Sequence, residues 1–355
     1  LNGVRLNTDA IDNSAGVDTS DHEVNLKILV GLRRSLGYEE RNDLLRSMTD
    51  DVAALVLHDN IAQNEVLTLA HAQAHSMLTV HGRLIEAWEH AGSLNRTLEA
   101  LPDQAELSRR NAVGIGLTRP ELSVLLAHAK LALTQELLAG SAINGDWAQE
   151  WLLDYFPQRL RESWREEIVS HPLRREIIAT QVANQMANLS GISFDHRISE
   201  ETGVGVVDIA KAWIAARDIL GLVDLWDQVD ALTGAVKTEV QVDLFLELRT
   251  MAERATLWLM RHRPLPLDIG AVVGQLAPGM AELRSGLERH LRGRQRDAAF
   301  SAEASRLASG IPESLAQQSV LWPLLHTGLD LVELASRRSR PLDEGAGVYW
   351  QLFDS

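Results

Sequence analysis

Asn13, Gly16 and Ser20 place a carboxamide, a bare stretch of backbone and a hydroxyl close together near the start of the chain. Glycine allows a ligand to approach the backbone closely. Ser20-Asp21-His22-Glu23 has the form of a capping box, in which Ser20 accepts from the Glu23 N–H and the Glu23 carboxylate reaches back. A helix opening at Ser20 directs free N–H groups at an anion, and a hydroxyl beside them suits a carboxylate. The same residues also read as an ordinary cap and an ordinary turn.

Other constellations carry less. His71 and His75 have the i, i+4 spacing of a two-histidine metal site, but neither Glu65 nor His81 falls on their face, so no metal ligand is expected. Arg284, Arg289, Arg292, Arg294 and Arg296, with Arg337, Arg338 and Arg340, read as solvated helix faces in an acidic chain. Trp147, Trp151 and Trp164 read as core or interface anchors. Gly203-Val204-Gly205 follows no strand pattern and reads as the entry to a helix. No Gly-x-Ser-x-Gly nucleophile motif is present.

The elements that would position these residues are mostly helices. Val4 to Thr8 alternates apolar and polar, a short strand signal, and Asp9 to Thr19 is turn-rich. A strand ending in such a turn places polar groups at the carboxyl edge of a sheet, where open α/β folds bind ligands. From Ser20 the pattern is helical throughout. Helices are predicted from Ser20 to Gly37, from Tyr38 to Met48, from Thr49, over about 60–89, from Thr118, over 147–156, from His171 to Gly191, and over about 204–220, 221–233 and 236–262. Residues 192–203 read as irregular, and Arg261 to Pro266 as a linker. The last ninety residues read as helices broken at Gly310, Pro312, Pro323 and Pro341.

The 355 residues carry 34 basic and 49 acidic side chains, a net charge of −15. Such a chain repels phosphate backbones, so nucleic acid is not an expected partner. The absence of cysteine excludes disulfides and thiolate chemistry and fits a reducing cytoplasm. No run approaching the length of a membrane helix is read, so no membrane partner is expected. The chain begins with Leu1 and ends in an apolar run, Gly347 to Phe353, as an excerpt from a longer protein would.

Asn13-Ser14-Ala15-Gly16-Val17, with Ser20 and Glu23, resembles the Asn-Ala-Gly-Gly-Val-x-x-Ser-x-x-Glu segment of glutamate dehydrogenases. The longer run from Asn7 to Asn25 resembles the large bacterial NAD-dependent class, as do Leu57-His58-Asp59-Asn60-Ile61-Ala62-Gln63 and the run from Leu117 to Lys130. The resemblance implies oxidative deamination of L-glutamate to 2-oxoglutarate with NAD as cofactor, in a homo-oligomer. It implies that Asn13 lies by the nicotinamide, that Gly16 and Val17 line the pocket around the substrate side chain, and that Ser20 hydrogen-bonds its distal carboxylate. Ala15 departs from the glycine of the smaller enzymes.

The fold expected is therefore mainly α: a multi-helical domain preceded by a short strand-turn remnant of a Rossmann-like dinucleotide-binding domain. Residues 1–36 would end the catalytic domain, 37–263 would form a helical domain, and 264–355 a further helical segment. The family's Gly-rich dinucleotide fingerprint and its lysine-bearing catalytic segment are not found, and the four lysines are Lys27, Lys130, Lys211 and Lys237. No catalytic residue is therefore assigned to this stretch, and alone it should not turn over substrate. A non-catalytic helical regulatory or oligomerisation module is the alternative.

Overall fold

The computed structural model describes residues 6–140, 142–338 and 342, and among them it contains helices and no strand. The chain divides into two compact units, Leu1–Glu201 and Thr202–Ser355.

The first unit opens with a single turn, α1 (Asp9–Asp12), and then α2 (Ser14–Leu32), α3 (Tyr38–Ser47) and α4 (Thr49–Ala72). After α5 (Leu78–His90) and α6 (Gln104–Ala112) comes α7 (Arg119–Ala139). Then follow α8 (Ala148–Tyr155), α9 (Gln158–Arg161), α10 (Arg165–Val169), α11 (Arg174–Ser190) and α12 (Phe194–Thr202). The centre is α7, packed on α11 and α4, with α2 laid against α4. Leu67, Leu84, Ile85, Leu122, Leu125 and Leu126 are buried in its core. By length and composition α7 could cross a bilayer, contrary to the sequence reading. Its buried residues, Leu122, Leu125, Leu126, Ala129, Leu133 and Leu137, are instead what a core helix needs.

The start of α7 forms as its sequence dictates. Thr118 Oγ1 accepts from the Glu121 N–H, Glu121 accepts from the Thr118 N–H at 2.7 Å, and Pro120 sits in the first turn. Arg110 holds the same carboxylate with two bonds of 2.7 and 3.0 Å. Just before it, Gly116 lies against the turn that follows α4. A Cβ there would stand 2.2 Å from the Ala74 carbonyl carbon, and only the backbone could give way. Gly116→Ala is expected to cost about 3 kcal/mol of stability by overpacking, read as a lower urea midpoint. A midpoint matching the wild type would refute the close approach.

Three expectations are corrected. The strand and turn before Ser20 are absent among the described residues: Leu6 to Thr8 have no regular structure, and Asp9 to Thr19 fall in α1 and α2 apart from Asn13 (Val4 and Arg5 lie outside the described residues). Gly16, Thr19, Ser20 and Asn25 are weak helix formers, so the pattern concealed a helix that tertiary contacts impose. The long helix over 60–89 breaks at 73–77, where no Gly or Pro signals a turn. Residues 192–203 are not irregular: α12 forms, anchored by buried Phe194 and Ile198 four positions apart. The terminal run from Gly347 and the break at Pro341 lie outside the described residues.

His81, on α5, is 3% exposed and its Nδ1 has no partner among the described residues. Burial pushes its imidazole down to about 4, and the Arg197 charge adds to this. The folded pKa lies below the unfolded one, so the unfolded chain takes the proton first. Stability is complete above pH ~6.5 and falls until about pH 4, by about 3 kcal/mol in all. As pH falls through that window, the urea midpoint of wild type should drop relative to that of His81→Leu. Parallel curves would contradict the neutral buried imidazole.

The second unit comprises α13 (Val206–Leu220), α14 (Leu222–Asp230), α15 (Thr238–His262), α16 (Ile269–Gly286), α17 (Gly293–Ala308), α18 (Glu313–Ser319) and α19 (Trp322–Arg338). α13 is its centre: Ile209, Ala210, Ala212, Trp213, Ile214, Ala215, Ala216 and Ile219 are buried on nearly every side, between α15 and α16. α19 closes the unit against α15 and α16, with Trp258 Nε1 donating to Asp330 at 2.7 Å and a buried Arg263–Glu333 ion pair of 2.8 Å.

Candidate functional site

Asn13 is the residue before α2, and Gly16, Val17 and Ser20 follow it at the third, fourth and seventh positions. At 3.6 residues per turn these four share one face. That face is exposed, with Val17 at 74%. A Cβ added at Gly16 would meet only Asn13 Oδ1, at 3.7 Å, so the surface beside the Asn13 carboxamide is open. Ser20 is the seventh residue of α2 and does not cap it, which corrects the capping-box reading. The anion-binding helix terminus therefore does not lie at Ser20, which offers its hydroxyl from an exposed helix side.

The opposite face of α2 is polar as well, but turned inward. His22 and Asn25 are 2% and 3% exposed, and Asp18 is half-buried. His22 stacks on Tyr155 of α8 with ring centroids 4.4 Å apart. Asn25 Nδ2 donates to the Tyr155 hydroxyl at 2.8 Å. The Leu173 N–H donates to His171 Nδ1, so His171 Nε2 carries the proton and donates to the Asn25 carbonyl at 3.1 Å. Burial lowers the His171 pKa, in keeping with that neutral ring.

Asp59 of α4 approaches from the second side, and one donor atom each from Asp18, His22 and Asp59 lie within 4.8 Å of one another. Lys130 of α7 faces the same group. Burial pushes its ammonium down to about 8, opposed by Asp59 and Asp18. Asp18 is pushed up to about 6 by burial, then by Asp59 and Asp21, with Lys130 opposing. Burial also raises the Tyr155 phenol and lowers the His22 imidazole.

The segment before α2 is tied to the same helices. Asn7 Nδ2 donates to Asn64 Oδ1 at 2.9 Å and to Asp12 Oδ1 at 2.7 Å. Arg119, 8% exposed, donates from Nε to Asn7 Oδ1 at 2.9 Å and from Nη1 to Thr68 Oγ1 at 3.0 Å. Asn60 Nδ2 donates to Ser14 Oγ at 2.9 Å and to the Ile11 carbonyl at 3.3 Å. The three sequence runs that carry the resemblance, about 7–25, 57–63 and 117–130, thus meet in one place.

The description "Bacterial NAD-glutamate dehydrogenase, catalytic domain" belongs to a family model that matches residues 1–70. A second model, "Glutamate dehydrogenase, C-terminal", matches residues 114–355, more than half the chain. The chain belongs to the glutamate dehydrogenase family. It is 39% identical to the NAD-specific glutamate dehydrogenase of Mycobacterium tuberculosis over 357 residues, 100% of this chain. It is 36% identical to those of Halomonas elongata and Pseudomonas aeruginosa, each over 99% of the chain. In each case it spans 22% of the relative's length. Arg119 and Lys130 fall in the C-terminal family segment, whereas Asn7, Asp18 and Asp59 fall in the catalytic one. The contacts between them join the two family segments within one compact unit.

Sequence reading missed Asp18, Asp59 and Lys130. The i, i+4 pair Asp18/His22 was hidden while the helix was taken to begin at Ser20, and nothing local links Asp59 or Lys130 to it. His71 and His75 do not share a helix, because α4 ends at Ala72 and His75 lies in the following turn. Of the arginine run, Arg289, Arg292 and Arg296 line a cavity of about 340 Å³ with Phe300, and Arg284 donates to the Leu220 carbonyl. Trp151 and Trp164 are buried, as core anchors should be. Gly203 to Gly205 lead into α13.

Proposed function

We propose that this chain is one wall of the active site of an NAD-dependent glutamate dehydrogenase, together with the helical body that holds that wall. The reaction is oxidative deamination of L-glutamate to 2-oxoglutarate and ammonia. The observation that carries this reading is that Asn13, Gly16, Val17 and Ser20 lie on one exposed face of α2 while the other face is fixed by buried polar contacts. A helix anchored in this way holds its outer side chains at fixed positions, as substrate recognition requires.

In this reading Ser20 donates its hydroxyl proton to the distal carboxylate of glutamate. Val17 packs on the substrate's methylenes, and Gly16 leaves room for them. The open surface beside Asn13 fits the carboxamide end of a nicotinamide, which the Asn13 side chain would hold by hydrogen bonding. NAD, when bound, accepts the hydride from the substrate's Cα, and that chemistry is the cofactor's own. Residues 1–36 would be the end of a Rossmann-like catalytic domain, and a homo-oligomer in the cytoplasm is part of the same proposal. Neither the dinucleotide fingerprint nor a catalytic lysine segment is present, so the isolated chain should be inactive.

Assay of the intact enzyme, with single substitutions on the outer face of α2, tests the assignment. Val17→Asp should weaken glutamate binding and leave the melting temperature within about 2 °C, since the site is exposed. If neither Val17 nor Ser20 affects turnover, this stretch is a non-catalytic helical regulatory or oligomerisation module.

A further inference from the structure

We propose that Asp18, His22 and Asp59 form a binding site for a divalent transition-metal cation of the Zn²⁺ or Mn²⁺ kind. The donor set is one imidazole and two carboxylates, drawn from one turn of α2 and from α4. Such a mixed nitrogen and oxygen set suits these ions better than Ca²⁺ or Mg²⁺, which take oxygen ligands alone. One donor atom from each side chain already lies within 4.8 Å of the other two. Binding an ion with bonds of roughly 2.0 to 2.2 Å would draw these donors closer together.

The independent observation is the state of His22. Its ring is 2% exposed and held flat against Tyr155. Nδ1 is buried with no hydrogen-bond partner among the described residues, and Nε2 stands 3.9 Å from Asp18 Oδ1, beyond hydrogen-bonding distance. A ring nitrogen removed from water without a partner is costly. Coordination through Nε2, the nitrogen standing toward Asp18, would give the ring a fixed partner and neutralise both acids. The His71/His75 spacing noted in the sequence has no comparable surroundings, since both rings are exposed.

Lys130 is the built-in competitor. Its ammonium faces Asp59 and Asp18 from α7, so the site already holds one positive charge against two negative ones. Asp21 adds a further negative charge nearby. An incoming dication must share the carboxylates with that ammonium or displace it. Removing the Lys130 charge should therefore strengthen metal binding, while dependence on His22 separates the site from a chance cluster of acids.

The test uses the 355-residue chain stripped of metal and titrated separately with Zn²⁺ and Mn²⁺. Calorimetry gives the affinity, and elemental analysis after dialysis gives the stoichiometry. One equivalent of at least one ion is expected, lost in His22→Gln and in Asp59→Asn, and bound at least tenfold more tightly by Lys130→Met. The double change His71→Gln/His75→Gln should leave it unaltered. Asp59 is half-exposed and its change to Asn keeps the shape, so that variant carries the test if His22→Gln does not fold. Absence of stoichiometric binding to wild type, binding that survives in Asp59→Asn, or a Lys130→Met variant no tighter than wild type would overturn the proposal. The readout does not involve turnover, so its failure would leave the dehydrogenase reading untouched.

Discussion

Arg119→Leu is expected to lower the unfolding free energy by about 3 kcal/mol, the largest stability effect at any residue of the site. Its guanidinium is 8% exposed and bridges Asn7 Oδ1 and Thr68 Oγ1, at 2.9 and 3.0 Å. A charged donor contributes roughly 1.5 to 3 kcal/mol per bond, and truncation leaves the two half-buried acceptors without it. Through Asn7 the loss passes to Asp12 and Asn64, which fix the chain just before α2. Amide exchange over residues 7–20 should therefore accelerate more than exchange in α11. Arg119→Lys should not restore the wild-type value, because a single ammonium cannot span both acceptors in the geometry of the guanidinium fork. Urea unfolding of both variants checks this, and a loss under 1 kcal/mol would show that the bridge is not fixed.

Ser20→Ala in the intact enzyme should act in the opposite sense, with function lost and stability kept. Ser20 is exposed on the side of α2, so unfolding should change by less than about 0.5 kcal/mol. A hydroxyl bonded to a carboxylate contributes roughly 1.5 to 3 kcal/mol, which lowers kcat/KM for glutamate by about 10- to 100-fold. Ser20→Thr keeps the hydroxyl and should recover most of the activity. A substantial fall in melting temperature instead would assign Ser20 to structure.

Much of the helical body was legible. The Thr118-Arg119-Pro120-Glu121 start of α7 carries its own chemistry, and the structure forms each bond the pattern implies. Gly191 ends α11 with φ of 98°, where a side chain would be strained, so that boundary was legible too. The opening stretch was misread because its composition favours turns. Gly16, Thr19 and Ser20 form helix there because Asp18, His22 and Asn25 face α4 and α8, and that partnership is non-local. The outer-face residues were found by resemblance to a known motif. Their common orientation became visible only once the helix was seen to start at Ser14. Lys130 reads in sequence as one polar position on an apolar helix, and Asp59 as one acid among 49 acidic residues. Only packing shows that they meet.

In the proposed active site Ser20 reads the distal carboxylate of the substrate. The most direct test of that role is the ratio of kcat/KM for L-glutamate to that for L-norvaline, in which a methyl replaces that carboxylate. The ratio is measured in the intact enzyme with and without Ser20→Ala. The ratio is expected to fall at least tenfold while the norvaline value stays within about threefold of wild type, because only the carboxylate loses a partner. An equal fall for both substrates, or an unchanged ratio, would contradict it.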